Sequence, residues 1–232
     1  MQKRAVILAG GKGTRLRPYT VALPKPLVPV GEKPILEIII RQLINYGFNH
    51  ITITVNHLAE IIKAFFGDGS KWGVKIDYTY EDKPLSTMGP LTLIRDLPDD
   101  FLVMNGDILT DLNFTDFYNF HVSNGNSFSI SSFLREEMID YGVLVVDEHF
   151  KLKNFDEKPK YSFLVSMGVY MVNRSVLNSI PPNEYFGFDH LMTDLIKKNQ
   201  FPVVFPFEGK WLDIGRPDDY EKAVELVHQI SY

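Results

Sequence analysis

Apolar positions along the chain recur in two rhythms. Short β-branched runs, "AVILA" (5–9), "ITITVN" (51–56), "VKIDYTY" (74–80) and "FLVMNGD" (101–107), have the length and composition of strands. Between them lie amphipathic stretches with helical spacing. "KPILEIIIRQLINYG" has Pro34 near its start and Gly47 at its stop, the order helix termini prefer. "HLAEIIKAFFG", "GPLTLIRDL" and "FTDFYNFHVSNG" are expected to be the next three helices. This alternation predicts an α/β fold, a mostly parallel sheet covered by helices.

From about Ser127 the texture changes. "SFSISSF", "YGVLVVD", "KLKNFDEK" and "SFLVSMGVYMVN" succeed one another with little helix between them, and "DEHF" (147–150) reads as a hairpin turn. "FDHLMTDLIKKNQ" and "PDDYEKAVELVHQI" then return to helical spacing, the second with Asp218 near its start. No compositional break marks a linker and no segment repeats.

Composition narrows the function classes. The 232 residues, 45% of them hydrophobic, suffice for one sizeable core. A formal net charge of −5 argues against the broad basic face that nucleic-acid binding needs, so any anion must be held locally. The absence of cysteine excludes disulfides, thiolate nucleophiles and Cys-ligated metals. No apolar run approaches the roughly 20 residues of a membrane span, and "MQKRAVILAG" lacks a signal-peptide layout. A cytoplasmic protein without membrane or nucleic-acid partners is expected.

The first strand runs into "LAGGKGTRLRPYT" (8–20). A strand ending in glycines presents clustered backbone N–H groups at close range, a natural phosphate cradle. The kinase-type loop GxxxxGK[ST] is absent because Gly13 follows Lys12, and the dinucleotide pattern GxGxxG fails because residue 16 is Leu. Asn56 also stands where a dehydrogenase would close its second strand with an acid. What remains are two cations, Arg15 and Arg17, and then Lys25, set between Pro24 and Pro26, which reduce the freedom it would lose on binding.

"LAGGKGTRLRPYT" followed by "PKPLVPVGEKPIL" resembles the signature of the sugar nucleotidylyltransferases, which join a sugar 1-phosphate to a nucleoside triphosphate. The likeness continues in "NGD" (105–107), "YGVL" (141–144), "EKP" (157–159), "SMGVY" (166–170) and "WLDIGRPDDY" (211–220). It implies a Rossmann-like, predominantly parallel mixed sheet in one domain over 1–232. Residues 1–126 would be a nucleotide-binding lobe and 127–232 a strand-rich sugar-phosphate-binding lobe. No hexapeptide repeat follows "RPDDY", so the C-terminal β-helix of some members is not expected; the oligomeric state, a homodimer included, stays open.

The resemblance also distributes roles. Leu8, Ala9, Gly10, Gly11, Gly13, Thr14, Asn105 and Gly106 would hold the nucleotide, with Arg15 neutralising the leaving pyrophosphate and Lys25 the reacting phosphates. Asp107 and Asp213 would bind Mg²⁺, an ion that takes one or two carboxylates and completes its shell with phosphate and water. Arg15, Lys25 and Asp107 thus form the expected catalytic set. Glu157, Lys158, Tyr141, Gly142 and Val165 would meet the sugar phosphate. Such a reaction needs alignment and charge neutralisation rather than a protein nucleophile.

The base-reading loop would be "EDKPLSTMGPL" (81–91), with Glu81, Pro84, Leu85, Thr87 and Gly89 as in guanylyl members. A carboxylate acceptor suits the paired donors of guanine, although it also suits the single N–H of uracil or thymine. Ser86 and Met88 replace a Gly and an Ala, and Met88 is expected to narrow the base pocket. GTP with mannose 1-phosphate or a manno-heptose 1-phosphate is the favoured pair. UTP, dTTP or CTP with a sugar such as glucose 1-phosphate, or a non-catalytic sugar-nucleotide sensor, are the rivals.

Overall fold

The computed structural model describes residues 3–56, 58–230 and 232; His57, which opens the second expected helix, lies outside them, as do Met1 and Gln2. The chain begins with β1 (Lys3–Leu8), the short pair β2 (Pro29–Val30) and β3 (Lys33–Pro34), then α1 (Ile35–Asn45), β4 (Phe48–Val55), α2 (Ala59–Phe66) and β5 (Lys75–Tyr80). It continues through β6 (Asp100–Asn105), β7 (Ile108–Thr110), α3 (Phe114–Ser123), β8 (Phe128–Met138), β9 (Val143–Val146), β10 (Leu152–Asp156) and β11 (Lys160–Asn173). It closes with α4 (Phe188–Lys197), β12 (Val203–Phe207), β13 (Trp211–Asp213) and α5 (Pro217–Val227).

Seven strands form one sheet in the order β12-β8-β11-β6-β1-β4-β5. β5, β4, β1 and β6 are parallel, and β11 is antiparallel to both its neighbours. The strand-rich half therefore extends the same sheet. Successive residues of a strand face opposite sides, and this splits the core in two. Ala5, Ile7, Leu102, Met104, Val169 and Met171 face the layer of α1, α2, α3 and α5. Val6, Phe101, Val103, Tyr170 and Val172 face α4 and the turn after the base loop.

Two expectations need correction. "GPLTLIRDL" is not an α-helix but a 3₁₀ turn, Gly89–Leu93. Across the segment that contains it, the buried hydrophobic side chains Met88, Leu91, Ile94 and Leu97 recur every third position, matching a turn of three residues rather than 3.6. The edge strand β12 is an addition to the expected elements, because Pro206 within it weakens the strand signal; at a sheet edge its missing donor is tolerated.

At the start of β1, Arg4 is 3% exposed. It donates from Nε and Nη2 to Thr52 Oγ1 (3.0 and 2.7 Å) and from Nη1 to the Asp96 carbonyl (2.9 Å), and pairs with the Asp96 carboxylate at 2.9 Å. Asp77, 3.9 Å away, also holds Lys75 and His50. A charged network thus closes the end of the sheet opposite the glycine-rich loop.

Candidate active site

β1 is the point where the chain turns from one side of the sheet to the other, with β4 on one flank and β6 on the other. Loops leaving the carboxyl ends of β1 and β6 open a crevice there, the usual ligand position in open α/β sheets. The glycine-rich loop leaves β1 and "GD" leaves β6. Gly106 N–H donates to the Leu8 carbonyl at 2.9 Å, and a Cβ on Gly106 would stand 3.0 Å from that oxygen, so the two loops meet only because residue 106 has no side chain.

Leu8, Ala9, Gly11, Gly13, Thr14, Arg15, Lys25, Gly106 and Asp107 line one cleft of about 290 Å³, with Lys12, Pro26 and Gly215 completing the wall. Gly13 has φ 62° and begins the 3₁₀ turn Thr14–Leu16, in which buried Leu16 is the anchor and exposed Arg15 the head. A Cβ on Gly13 would lie 2.9 Å from Lys25 Cβ, which ties the glycine loop to the lysine turn, Lys25–Leu27.

Lys25 Nζ donates to Asp107 Oδ2, whereas Asp107 Oδ1 is buried with no hydrogen-bond partner. Antiparallel pairing of β13 with β7 sets Asp213 opposite Ile108, and Ile214 N–H donates to the Asp107 carbonyl at 3.0 Å. Two aspartates far apart in sequence are thereby brought together. Surrounding protein and then the charge of Asp107 push the Asp213 carboxyl up, with Lys25 and Arg15 pulling the other way. An orphaned carboxylate oxygen beside a second carboxylate is a donor set that fits a magnesium ion completing its shell with phosphate and water. Among the described residues no cluster of three or more His, Cys, Asp or Glu offers a closed protein cage.

A second pocket of about 330 Å³ adjoins the cleft, lined by Gly10, Glu81, Pro84, Leu85, Ser86, Thr87 and Asn105, and by Thr54 and Tyr185, which sequence reasoning missed. Glu81 Oε2 accepts from Leu85 N–H at 3.2 Å, its Oε1 rests against Gly10, and burial raises its carboxyl pKa, opposed by the Leu85 bond. Thr54 Oγ1 is buried without a partner in this wall. Gly89 lies behind the wall, bonded through N–H to the Phe186 carbonyl at 2.9 Å.

Met88 does not narrow this pocket. It is fully buried in the core facing α4, because Met88 N–H also donates to the Phe186 carbonyl (3.0 Å) and Thr87 Oγ1 caps α4 by accepting from Phe188 N–H (2.8 Å). Ser86 is the residue that faces the pocket, with φ 65° where glycine would be at ease.

A third cavity, of about 440 Å³, is lined in part by Asp213 and shares Arg15 and Gly215 with the first cleft. Trp211 and Phe133 contribute aromatic faces 5.5 Å apart; Arg135, Arg216 and Lys222 add positive charge. Trp211 Nε1 donates to the Met167 carbonyl at 3.0 Å, which fixes its ring. Val165 reaches this region as the cross-strand partner of Phe133. Tyr141, Gly142, Glu157 and Lys158 line none of the three cavities. They sit at the foot of the β9–β10 hairpin, where a Cβ on Gly142 would be 3.3 Å from Glu157 Oε2 and Lys158 has φ 46°.

A family model described as Nucleotidyl transferase matches residues 4–230. The chain belongs to that family. It is 38% identical to a probable mannose-1-phosphate guanylyltransferase 1 of Oryza sativa subsp. japonica, over 96% of this chain and 64% of that one. It is 33% identical to a UTP–glucose-1-phosphate uridylyltransferase of Synechocystis, over 97% of this chain and 63% of that one. The chain thus spans less than two thirds of these relatives' length. Among solved structures, HddC from Yersinia pseudotuberculosis superposes with a TM-score of 0.76 at 27% identity, covering 97% of this chain and all of that one. The same protein complexed with GMP-PN gives 0.72 at 26%. No helix among the described residues is long and apolar enough to cross a membrane.

Proposed function

We propose that the protein transfers a nucleoside monophosphate, from GTP by preference, to mannose 1-phosphate or a manno-heptose 1-phosphate, releasing pyrophosphate. The observation that carries this reading is the meeting of Arg15, Lys25 and Asp107 in one cleft, flanked by a pocket suited to a base and by a cavity suited to a sugar that Asp213 lines. Backbone N–H groups of the glycine loop and the guanidinium of Arg15 hold the departing phosphates. Lys25 neutralises the phosphoryl group under attack by an oxygen of the sugar phosphate, and the walls keep attacking and leaving oxygens in line. Asp107 and Asp213 would hold Mg²⁺, which when bound adds positive charge beside the transferring phosphoryl.

The cavity that Asp213 lines takes the sugar phosphate in this reading. Trp211 and Phe133 offer apolar faces to the ring, and Val165 lies beside them. Guanine is supported by Glu81 and the loop that follows it, by the guanylyltransferase relative and by the GMP-PN complex of the structural neighbour. A uridylyl reading with glucose 1-phosphate keeps a specific observation of its own, the uridylyltransferase relative. Pyrophosphate release from each nucleoside triphosphate with a panel of sugar 1-phosphates separates the two. The expected result is a kcat/KM for GTP with a manno-configured sugar about tenfold or more above any other pair, which is roughly 1.4 kcal/mol of discrimination; turnover with UTP, dTTP or CTP but not GTP overturns the base assignment.

A further inference from the structure

The segment that carries Arg15 returns to the surface after Leu16, and Tyr19, Val21 and Leu23 in it are exposed. Its hydrogen bonds are internal: Tyr19 N–H to the Leu16 carbonyl (3.1 Å), Val21 N–H to the Pro18 carbonyl (3.2 Å) and Thr20 Oγ1 to the Gly13 carbonyl (2.7 Å). These bonds shape the loop but do not hold it to the rest of the protein. Tyr19 instead stacks on Tyr220, with ring centroids 4.8 Å apart and planes 27° apart. Tyr220 lies in the first turn of α5, and its hydroxyl donates to the Pro29 carbonyl at 2.8 Å, just beyond the turn that carries Lys25. The strand bearing Asp213 leads directly into the same helix.

One tyrosine therefore touches the limb behind Arg15 and the strand behind Lys25 while riding on the element that follows Asp213. Stacking at 45% exposure of Tyr19 adds little to a core, but it fixes relative positions, and misplacing a reacting group by about 1 Å costs up to roughly a hundredfold in rate. We propose that Tyr19 and Tyr220 form an aromatic clasp that positions the Arg15 turn against the Asp213 end of the crevice. They are positioning residues, acting through Arg15, and their kinetic role rests on the nucleotidyl-transfer reading above.

The test compares Tyr19→Ala and Tyr19→Phe with the wild type. Trypsin can cut after Lys12 and Arg15 in the loop. Opening the clasp in Tyr19→Ala should speed that cleavage several-fold, and Tyr19→Phe, which keeps the ring, should restore the wild-type rate. With GTP and a sugar 1-phosphate, Tyr19→Ala should lose about tenfold or more in kcat/KM for the nucleotide and keep its thermal midpoint, and Tyr19→Phe should recover the kcat/KM. Tyr220→Ala, which also loses the hydrogen bond to Pro29, should fall at least as far, and the double variant no further than Tyr220→Ala, because the stack is already gone in it. Unchanged cleavage in Tyr19→Ala overturns the clasp whatever the activity; faster cleavage with unchanged kcat/KM overturns its positioning role. A wild type that turns over no nucleotide overturns the proposed reaction while the proteolysis still decides the clasp.

Discussion

Replacing Asp107 by Asn is expected to lower magnesium-dependent turnover by about 10³-fold or more. The side chain keeps its shape and loses its charge. In the wild type, Oδ2 accepts from Lys25 and the buried Oδ1 has no partner. An amide in its place would leave Lys25 without its counter-charge and offer the cation a neutral oxygen, so both the positioned lysine and the two-carboxylate site fail together. Folding should change little, because losing the charge of a buried, unpartnered carboxylate oxygen is a gain that offsets the cost of leaving the largely buried Lys25 without its counter-charge. Pyrophosphate release measured across a magnesium titration, beside a thermal melt, checks both halves. Near-normal turnover would refute the metal role, and a collapsed melting transition would mean that Asp107 is structural.

Replacing Arg4 by Met should cost about 2–4 kcal/mol of stability. The substitution leaves Thr52 Oγ1 buried without its two guanidinium donors and frees the Asp96 carbonyl and carboxylate. Partial burial works against ionisation of Asp96, but the Arg4 hydrogen bond and charge win and hold its carboxyl below the ordinary value of 3.8. A depressed carboxyl contributes stability that is present above its unfolded pKa and lost as pH falls through the folded one. The gap between wild type and variant should therefore be full at neutral pH and narrow once pH drops below that ordinary value. Urea unfolding at several pH values measures it. Turnover per folded molecule should be unaffected, since Arg4 lies at the opposite end of β1 from the crevice.

Arg4 also shows what the sequence conceals. In "MQKRAVILAG" it is one more polar residue ahead of an apolar run, and only the sheet reveals that three distant segments converge on it. The alternation of β-branched runs and amphipathic stretches is legible because strands and helices impose periods of 2 and 3.6 on burial. The spacing of three at Met88, Leu91, Ile94 and Leu97 is equally visible, but over so short a run it passes for the period of an α-helix. The motif around Met88 points it at the pocket, whereas backbone bonds to Phe186 turn it into the core.

The candidate site is legible where one stretch of chain builds it. Gly10 to Arg15, Lys25, Glu81, Pro84 to Thr87 and Gly106–Asp107 all reach the crevice walls. Phe133, Tyr185 and Arg135 belong to no quoted motif, and Trp211 opens "WLDIGRPDDY" with no role assigned to it; Trp211, Phe133 and Arg135 enter through long-range pairing of β13 with β7 and of β8 with its neighbours. Tyr141, Gly142, Glu157 and Lys158 gather at a hairpin foot outside the cavities, so their link to the sugar rests on resemblance.

The most direct measurement follows the phosphorus itself. GTP labelled at its α-phosphorus, incubated with the protein, magnesium and mannose 1-phosphate, should place the label in a GDP-sugar and release unlabelled pyrophosphate. Label that stays in GTP with every sugar 1-phosphate offered, or that appears in free GMP or GDP without a sugar conjugate, would contradict guanylyl transfer as the function of this crevice.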